Sequence, residues 1–174
     1  MSRQLPNRGY FGIGIEHTKS EENIGGLFRS AMVYGASFAF TIGRRYTRQS
    51  SDTPNALKHI PLYHYLTFDD FFRHLPRDCP LVGVEIDPAA IMLDDFSHSE
   101  RACYLLGAED HGLTKRALSA CHALVRLPGN FCLNVATAGS IVMYDRWVKQ
   151  EKKFSHPFSM NGSGQKGDCG AFQH

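Results

Sequence analysis

Short apolar runs alternate with helix-patterned stretches along most of this 174-residue chain, and that alternation leaves few architectures open. Tyr10–Glu16 (YFGIGIE) reads as a strand. Ser20 and Asn23 are helix N-cap residue types, and Ile24, Leu27, Phe28 and Ala31 follow at helical spacing, with Gly35 as the stop. Ser37–Ile42 reads as a buried strand and Ile60–Tyr65 as a short one. Thr67 with Asp70 predicts a capped helix through Leu75. Leu81–Ile86 and Ala102–Leu106 are further strands, Thr114 caps a helix through Cys121, and Ala123–Leu127 is strand-like. A last helix runs from Leu133 to Gln150. Strands separated by helices predict an α/β domain with a largely parallel sheet and helices on both faces. Ligands of such sheets bind beyond the carboxyl ends of the strands. Residues 43–59 lack periodicity and read as a long loop. After Lys153 the chain turns Gly/Ser-rich, so residues 1–153 are read as the domain and 154–174 as a flexible tail.

Composition removes several classes. The chain is 43% hydrophobic and 21% charged, which argues for one globular domain and against disorder. No apolar run approaches the roughly 20 residues that cross a bilayer. The N-terminal stretch lacks the apolar core of a signal peptide. Five cysteines without a CxxC pair argue against a disulfide framework or a zinc site and for a reducing cytoplasm. The formal net charge of +2 hides an uneven distribution. Residues 1–48 carry seven basic and three acidic groups, 49–112 four and eleven, and 113–174 eight and three. Basic ends brought together would offer a face to a polyanion; uneven solvation explains the pattern equally well.

Three segments have the residue types for chemistry. In Asn23-Ile24-Gly25-Gly26-Leu27-Phe28-Arg29, Asn23 is a cap candidate and Arg29 lies away from the apolar stripe. The glycine pair costs helix stability, which points to a close backbone approach. In Leu105–Leu113 (LLGAEDHGL) a strand ends in a loop with glycines five apart around Glu109, Asp110 and His111, where loop amides can meet a ligand. It lacks both the dinucleotide and the Walker spacing, and His111 has no second ligand at metal spacing. In Leu127–Ala136 (LPGNFCLNVA) a strand leaves through Pro-Gly into a helix, with Cys132 and Asn134 at the helix start. That helix carries Ala136, Gly139, Ser140, Met143 and Trp147 on one face, suited to a close helix contact within the chain or with a partner.

In order and content these segments resemble motifs 1, 2 and 3 of the SpoU/TrmH family of the SPOUT superfamily, over about residues 10–150. The resemblance implies an RNA ribose 2′-O-methyltransferase that uses S-adenosylmethionine and no metal. It also implies a C-terminal deep trefoil knot and a homodimer packed through the first and last helices. Carried over by motif, Asn23, Arg29, Glu109 and Asn134 are the catalytic set. Val84, Glu85, Gly107, Leu127, Cys132 and Leu133 are the cofactor-binding set. Cys132 stands where the family usually has Ser, and the loop from Pro128 to Cys132 is short for the family. Because a guanidinium stays protonated, Arg29 is expected to grip phosphate and stabilise a developing alkoxide rather than act as base.

Motif 1 begins at Asn23, which leaves no room before it for the N-terminal RNA-binding domain of some members. The minimal tRNA methyltransferases are the better match, so tRNA is expected over rRNA. Arg44, Arg45 and Arg48, extended by Lys149, Lys152 and Lys153, are candidates for phosphate contact, and Tyr46, Phe154 and Phe158 for base stacking. Two other readings compete. One is a non-catalytic RNA-binding protein that kept the fold. The other is a small-molecule enzyme using Cys132 as nucleophile.

Overall fold

The computed structural model describes residues 9–43, 60–129 and 131–154. Arg44, Arg45, Tyr46, Arg48 and Phe158 lie outside them, as do residues 155–174 of the region 154–174 read as a tail, whose first residue, Phe154, instead ends the last helix.

Seven strands form one sheet: β1 (Tyr10–Glu16), β2 (Phe38–Ile42), β3 (Leu62–Tyr65), β4 (Leu81–Val84), β5 (Ile91–Met92), β6 (Arg101–Leu106) and β7 (Ala123–Arg126). Their order is β3-β2-β1-β6-β4-β7-β5, and all six pairings are parallel. The helices are α1 (Glu21–Val33), α2 (Phe68–Arg73), α3 (Lys115–Ala120) and α4 (Val135–Phe154). The expected parallel α/β architecture is therefore present. β5 was not foreseen, since two residues carry no periodicity.

The core has two layers, one on each side of the sheet. Phe11, Ile13 and Ile15 alternate along β1 toward Ile24, Leu27 and Phe28 of α1 and Val142 and Met143 of α4. Phe38 and Phe40 of β2 face the other way, with Phe68 and Phe71 of α2 and Ala117 of α3. Gly12 and Gly14 fit this division, because a Cβ at either would strike the Phe38 or Phe40 ring.

α1 and α4 cross closely. A Cβ on Gly26 would come 3.2 Å from that of Ala136, and one on Gly139 would run into Leu27. Ser30 and Ser140 share a hydrogen bond of 2.7 Å at the same crossing. Gly26 of α1 and the small-residue face of α4 are thus used inside the chain. Of the two uses the sequence left open for this face, the contact within the chain is the one the structure shows. Val33, Ile141 and Tyr144 are left exposed on the same two helices.

α4 also fastens residues 93–100, which join β5 to β6. Lys149 Nζ donates to the carbonyls of Leu93, Asp94 and Phe96 at 2.6, 2.9 and 3.1 Å and pairs with Asp145 at 2.8 Å. Lys149 is therefore committed to the fold and not to a phosphate surface. The buried Arg146 donates to the Ser99 and Glu100 carbonyls at 2.6 and 2.7 Å and lies over the Phe11 ring. The buried His98 bridges Tyr104 Oη at 2.5 Å and Asp145 at 2.8 Å.

Burial holds the His98 imidazole down to about 4, against the opposing pull of Asp145. An unfolded histidine titrates near 6.5, so as pH falls the unfolded chain takes up a proton that the folded chain refuses. Stability present above about pH 6.5 should fall by about 3 kcal/mol by pH 4 through this group alone. Urea unfolding between pH 7.5 and 4.5 should show the loss, and His98→Gln should flatten it. An unchanged pH slope in the variant would remove His98 as the cause.

Candidate active site

The C-terminal ends of β1, β4, β6 and β7 surround the loop that follows β6. Two carboxylates on the flanking strands shape it. Glu16, buried at the end of β1, accepts from the Thr114 amide and hydroxyl, each at 2.9 Å. Thr114 in turn caps α3 by accepting from Ala117 N. Glu85, just past β4, accepts from Leu113 N at 2.7 Å and Ile86 N at 3.0 Å. The loop closes on itself through paired backbone bonds between Ala108 and Gly112. Its glycines serve that closure: a Cβ on Gly107 would strike the Gly112–Leu113 backbone, and one on Gly112 (φ 64°) the Glu85 carboxylate. They are there for the loop's own backbone, where the sequence had suggested a ligand's approach.

Ser20, and not Asn23, caps α1, accepting from Asn23 N at 3.2 Å. Asn23 sits inside the first turn, so its side chain is available for another use. It donates through Nδ2 to Glu109 and accepts through Oδ1 from Asn134 Nδ2 at 2.7 Å. Asn134 Oδ1 accepts from Ala136 N and Thr137 N at 2.9 and 3.2 Å, which caps α4. Each amide orientation follows from the one before. Helix amides require the Asn134 oxygen, which leaves its NH2 to face Asn23, which leaves the Asn23 NH2 for a carboxylate that only accepts. The buried Thr18 hydroxyl also donates to Glu109, at 3.3 Å. Asp110 beside it is paired with Lys19, and that bond holds its carboxyl below the usual range.

Next to this chain lies a cavity of about 460 Å³. Val84, Glu85, Gly107, Leu127, Cys132 and Leu133 all line it, together with Glu109 and Asn134. Asn23 reaches it only through its hydrogen bonds. Arg29 stands on the exposed side of α1, outside the lining. The volume suits a small molecule, and the walls combine apolar Val84, Leu106, Leu127 and Leu133 with carboxylates that would favour a cation. His111 and Cys132 share the lining, yet no hydrogen bond joins them, and His111 pairs with Asp110 at 3.2 Å. A thiol activated by that imidazole is not formed. Among the described residues no group of His, Cys, Asp and Glu could hold a metal ion, and no helix is long and apolar enough to cross a membrane.

Thr18, Glu16 and Arg126 were missed in the sequence. Glu16 carried a usable signal, being a carboxylate that ends an otherwise apolar strand. Arg126, at the end of β7, gave none.

The family model of the SpoU rRNA methylases matches residues 11–144. A curated relative from Mycobacterium tuberculosis, named an uncharacterized tRNA/rRNA methyltransferase, is 31% identical over 150 residues. The match covers 76% of this chain and 50% of the relative, so the chain spans about half the length of the curated relatives it matches. An AdoMet-bound rRNA methyltransferase from Sinorhizobium meliloti shares the fold with a TM-score of 0.69 at 23% identity, over 83% of this chain and 60% of that one. A structure described as giving insight into 2-OH methylation of C/U34 on tRNA does so with a TM-score of 0.73 at 20% identity, over 83% and 99%.

The directed amide chain makes a testable claim about polarity. Asn134→Asp keeps an N-cap but sets two acceptors face to face, and should cost about 0.5–1 kcal/mol. Adding Glu109→Gln lets Asn23 turn over and should recover that loss. Chemical denaturation of both single variants and the double gives the coupling. Simple additivity would mean the three side chains do not act as one chain.

Proposed function

The chain belongs to the SpoU rRNA methylase family, and on that premise we propose that it is an S-adenosylmethionine-dependent RNA methyltransferase acting on a ribose 2′-hydroxyl. The observation that carries this reading is the juxtaposition just described. Asn23, Glu109 and Asn134, from three separate segments, are hydrogen-bonded beside a cavity lined by all six residues expected to hold the cofactor.

The residues present fit that cofactor. The apolar walls suit an adenosine, and the lining carboxylates suit a positive sulfonium. Bound there, S-adenosylmethionine supplies an electrophilic methyl group. The chain's own task is to hold a ribose hydroxyl in line with it and to favour loss of the hydroxyl proton. Glu109, fixed by Thr18 and Asn23, keeps the loop after β6 in register with the start of α1. Arg29 grips an RNA phosphate and steadies the alkoxide as it forms. Because Arg29 lies outside the cavity of its own protomer, the proposal includes a homodimer that brings it to a cavity. The exposed Val33, Ile141 and Tyr144 on α1 and α4 supply an apolar surface for that contact.

A deep trefoil knot in the C-terminal half belongs to the same proposal. The strand order supports it, since β7 is seated between β4 and β5 although only residues 85–90 join those two. tRNA is the preferred substrate over rRNA. Supporting this, the structure concerned with tRNA methylation is matched over nearly its whole length.

Two measurements test the reading. Incubation with methyl-deuterated S-adenosylmethionine and separate tRNA and rRNA fractions lacking the modification should yield a deuterated 2′-O-methylnucleoside from tRNA after digestion and mass spectrometry. Label in a base, or in rRNA alone, would overturn the ribose or the tRNA assignment respectively. No label and no cofactor binding would favour the non-catalytic RNA binder. Arg29→Ala should abolish transfer, a loss of at least about 100-fold, with cofactor affinity near wild type. Equal loss of both would make Arg29 structural.

A further inference from the structure

The charged groups around the cavity are unevenly committed. Glu85 is taken by the amides of Ile86 and Leu113, Glu109 by Thr18 and Asn23, and Asp110 by Lys19 and His111. The one arginine in the lining is Arg126, exposed at the end of β7. Among the described residues it makes no side-chain hydrogen bond or ion pair, although Glu85 is its cross-strand neighbour: Val84 pairs with Val125, and the two charged residues follow them. Glu85 accepts a backbone amide on each oxygen instead, from Ile86 and Leu113. Arg126 is thus a permanent cation with five donors at a small-molecule cavity whose own anions are engaged elsewhere.

We infer that Arg126 is the anchor for the carboxylate of the cofactor's amino-acid end, and so selects ligands that carry that end. The inference rests on the reading of this cavity as an S-adenosylmethionine site. Charge complementarity commits the occupant. The ligand brings a cationic sulfonium and a carboxylate, and the lining offers carboxylates held by the loop and a guanidinium held by β7. An RNA phosphate is the rival anion. It is disfavoured because Arg126 shares its cavity with all six residues of the cofactor set, and a volume of about 460 Å³ suits a small molecule rather than a polymer.

Titration calorimetry on the full chain separates the possibilities, with S-adenosylhomocysteine and methylthioadenosine as probes. The second lacks the amino-acid end. Arg126→Ala should weaken S-adenosylhomocysteine about 10- to 100-fold, the loss of a charge-assisted pair, and leave methylthioadenosine within about twofold. Arg126→Lys should fall between, keeping the charge without the fork. Weakening of both ligands alike would make Arg126 a support of the pocket, and no change in either would overturn the inference. Unchanged nucleoside binding with weaker RNA binding would assign Arg126 to phosphate and also overturn it. In each of these cases wild-type binding leaves the proposed function standing. Wild-type protein that binds neither nucleoside would remove the proposed function itself, and the inference with it.

Discussion

The free amides at the start of α4 set the direction of everything hydrogen-bonded to them. A helix N-terminus demands an acceptor, and Asn134 meets the demand with its side-chain oxygen. An amide that gives its oxygen one way must offer its NH2 the other way. The demand is thus passed to Asn23 on α1 and on to Glu109 in the loop after β6. Aspartate or serine would cap α4 as well as asparagine does. Neither could relay a donor with the same reach and polarity. Asparagine at 23 and 134 is therefore a choice made by the site, with capping as its by-product at one end.

That relay needs α1 and α4 to stay close, and the cost of closeness falls on the helices. Gly26 and Gly139 each lower helix propensity by about 1 kcal/mol relative to alanine. The structure recovers this through burial of Leu27, Val142 and Met143 against β1. The far half of α4 works by a different means. Arg146 and Lys149 satisfy five carbonyls of residues 93–100, a segment without regular hydrogen bonding of its own. A buried cation such as Arg146 is expensive unless its charge is met by acceptors, which the Ser99 and Glu100 carbonyls supply. Arg146 and Lys149 supply direction that apolar contacts cannot, and direction is what a long connection between β5 and β6 requires.

Periodicity revealed the strands and helices because each obeys a local rule. β1 matches its expected bounds to the residue, and Thr67 and Thr114 cap the helices the sequence assigned to them. Asn23 was misplaced for an instructive reason. Ser20 and Asn23 are both cap types; Ser20 takes the cap, and the carboxylate that receives the Asn23 side chain, Glu109, is 86 residues away. The same holds for Lys149, whose partners are carbonyls about 55 residues distant. Composition sees a basic cluster at 149–153; only the fold reveals which lysine is spoken for. The three motifs could be found because their order is a pattern in one dimension. Their union around a cavity is a fact of the sheet order, which no window along the chain contains.

The loop after β6 shows how the site combines rigidity with an open cavity. The carboxylates that flank it and its own glycines are spent on the protein's own backbone: Glu16 and Glu85 on amides, Gly107 and Gly112 on close approach. Groups that look functional in sequence are here the means of fixing shape. What faces the cavity with capacity left over is a shorter set. It comprises the Cys132 and Arg126 side chains, neither of which is committed to a hydrogen bond among the described residues. A thiol is a poor hydrogen-bond partner, so Cys132 gives its wall little polar capacity. The lining is thereby made to depend more heavily on its charged members. On the proposed function, recognition in such a cavity rests on the match between a few fixed charges and a ligand carrying both signs, in walls that are otherwise apolar and already closed by their own hydrogen bonds.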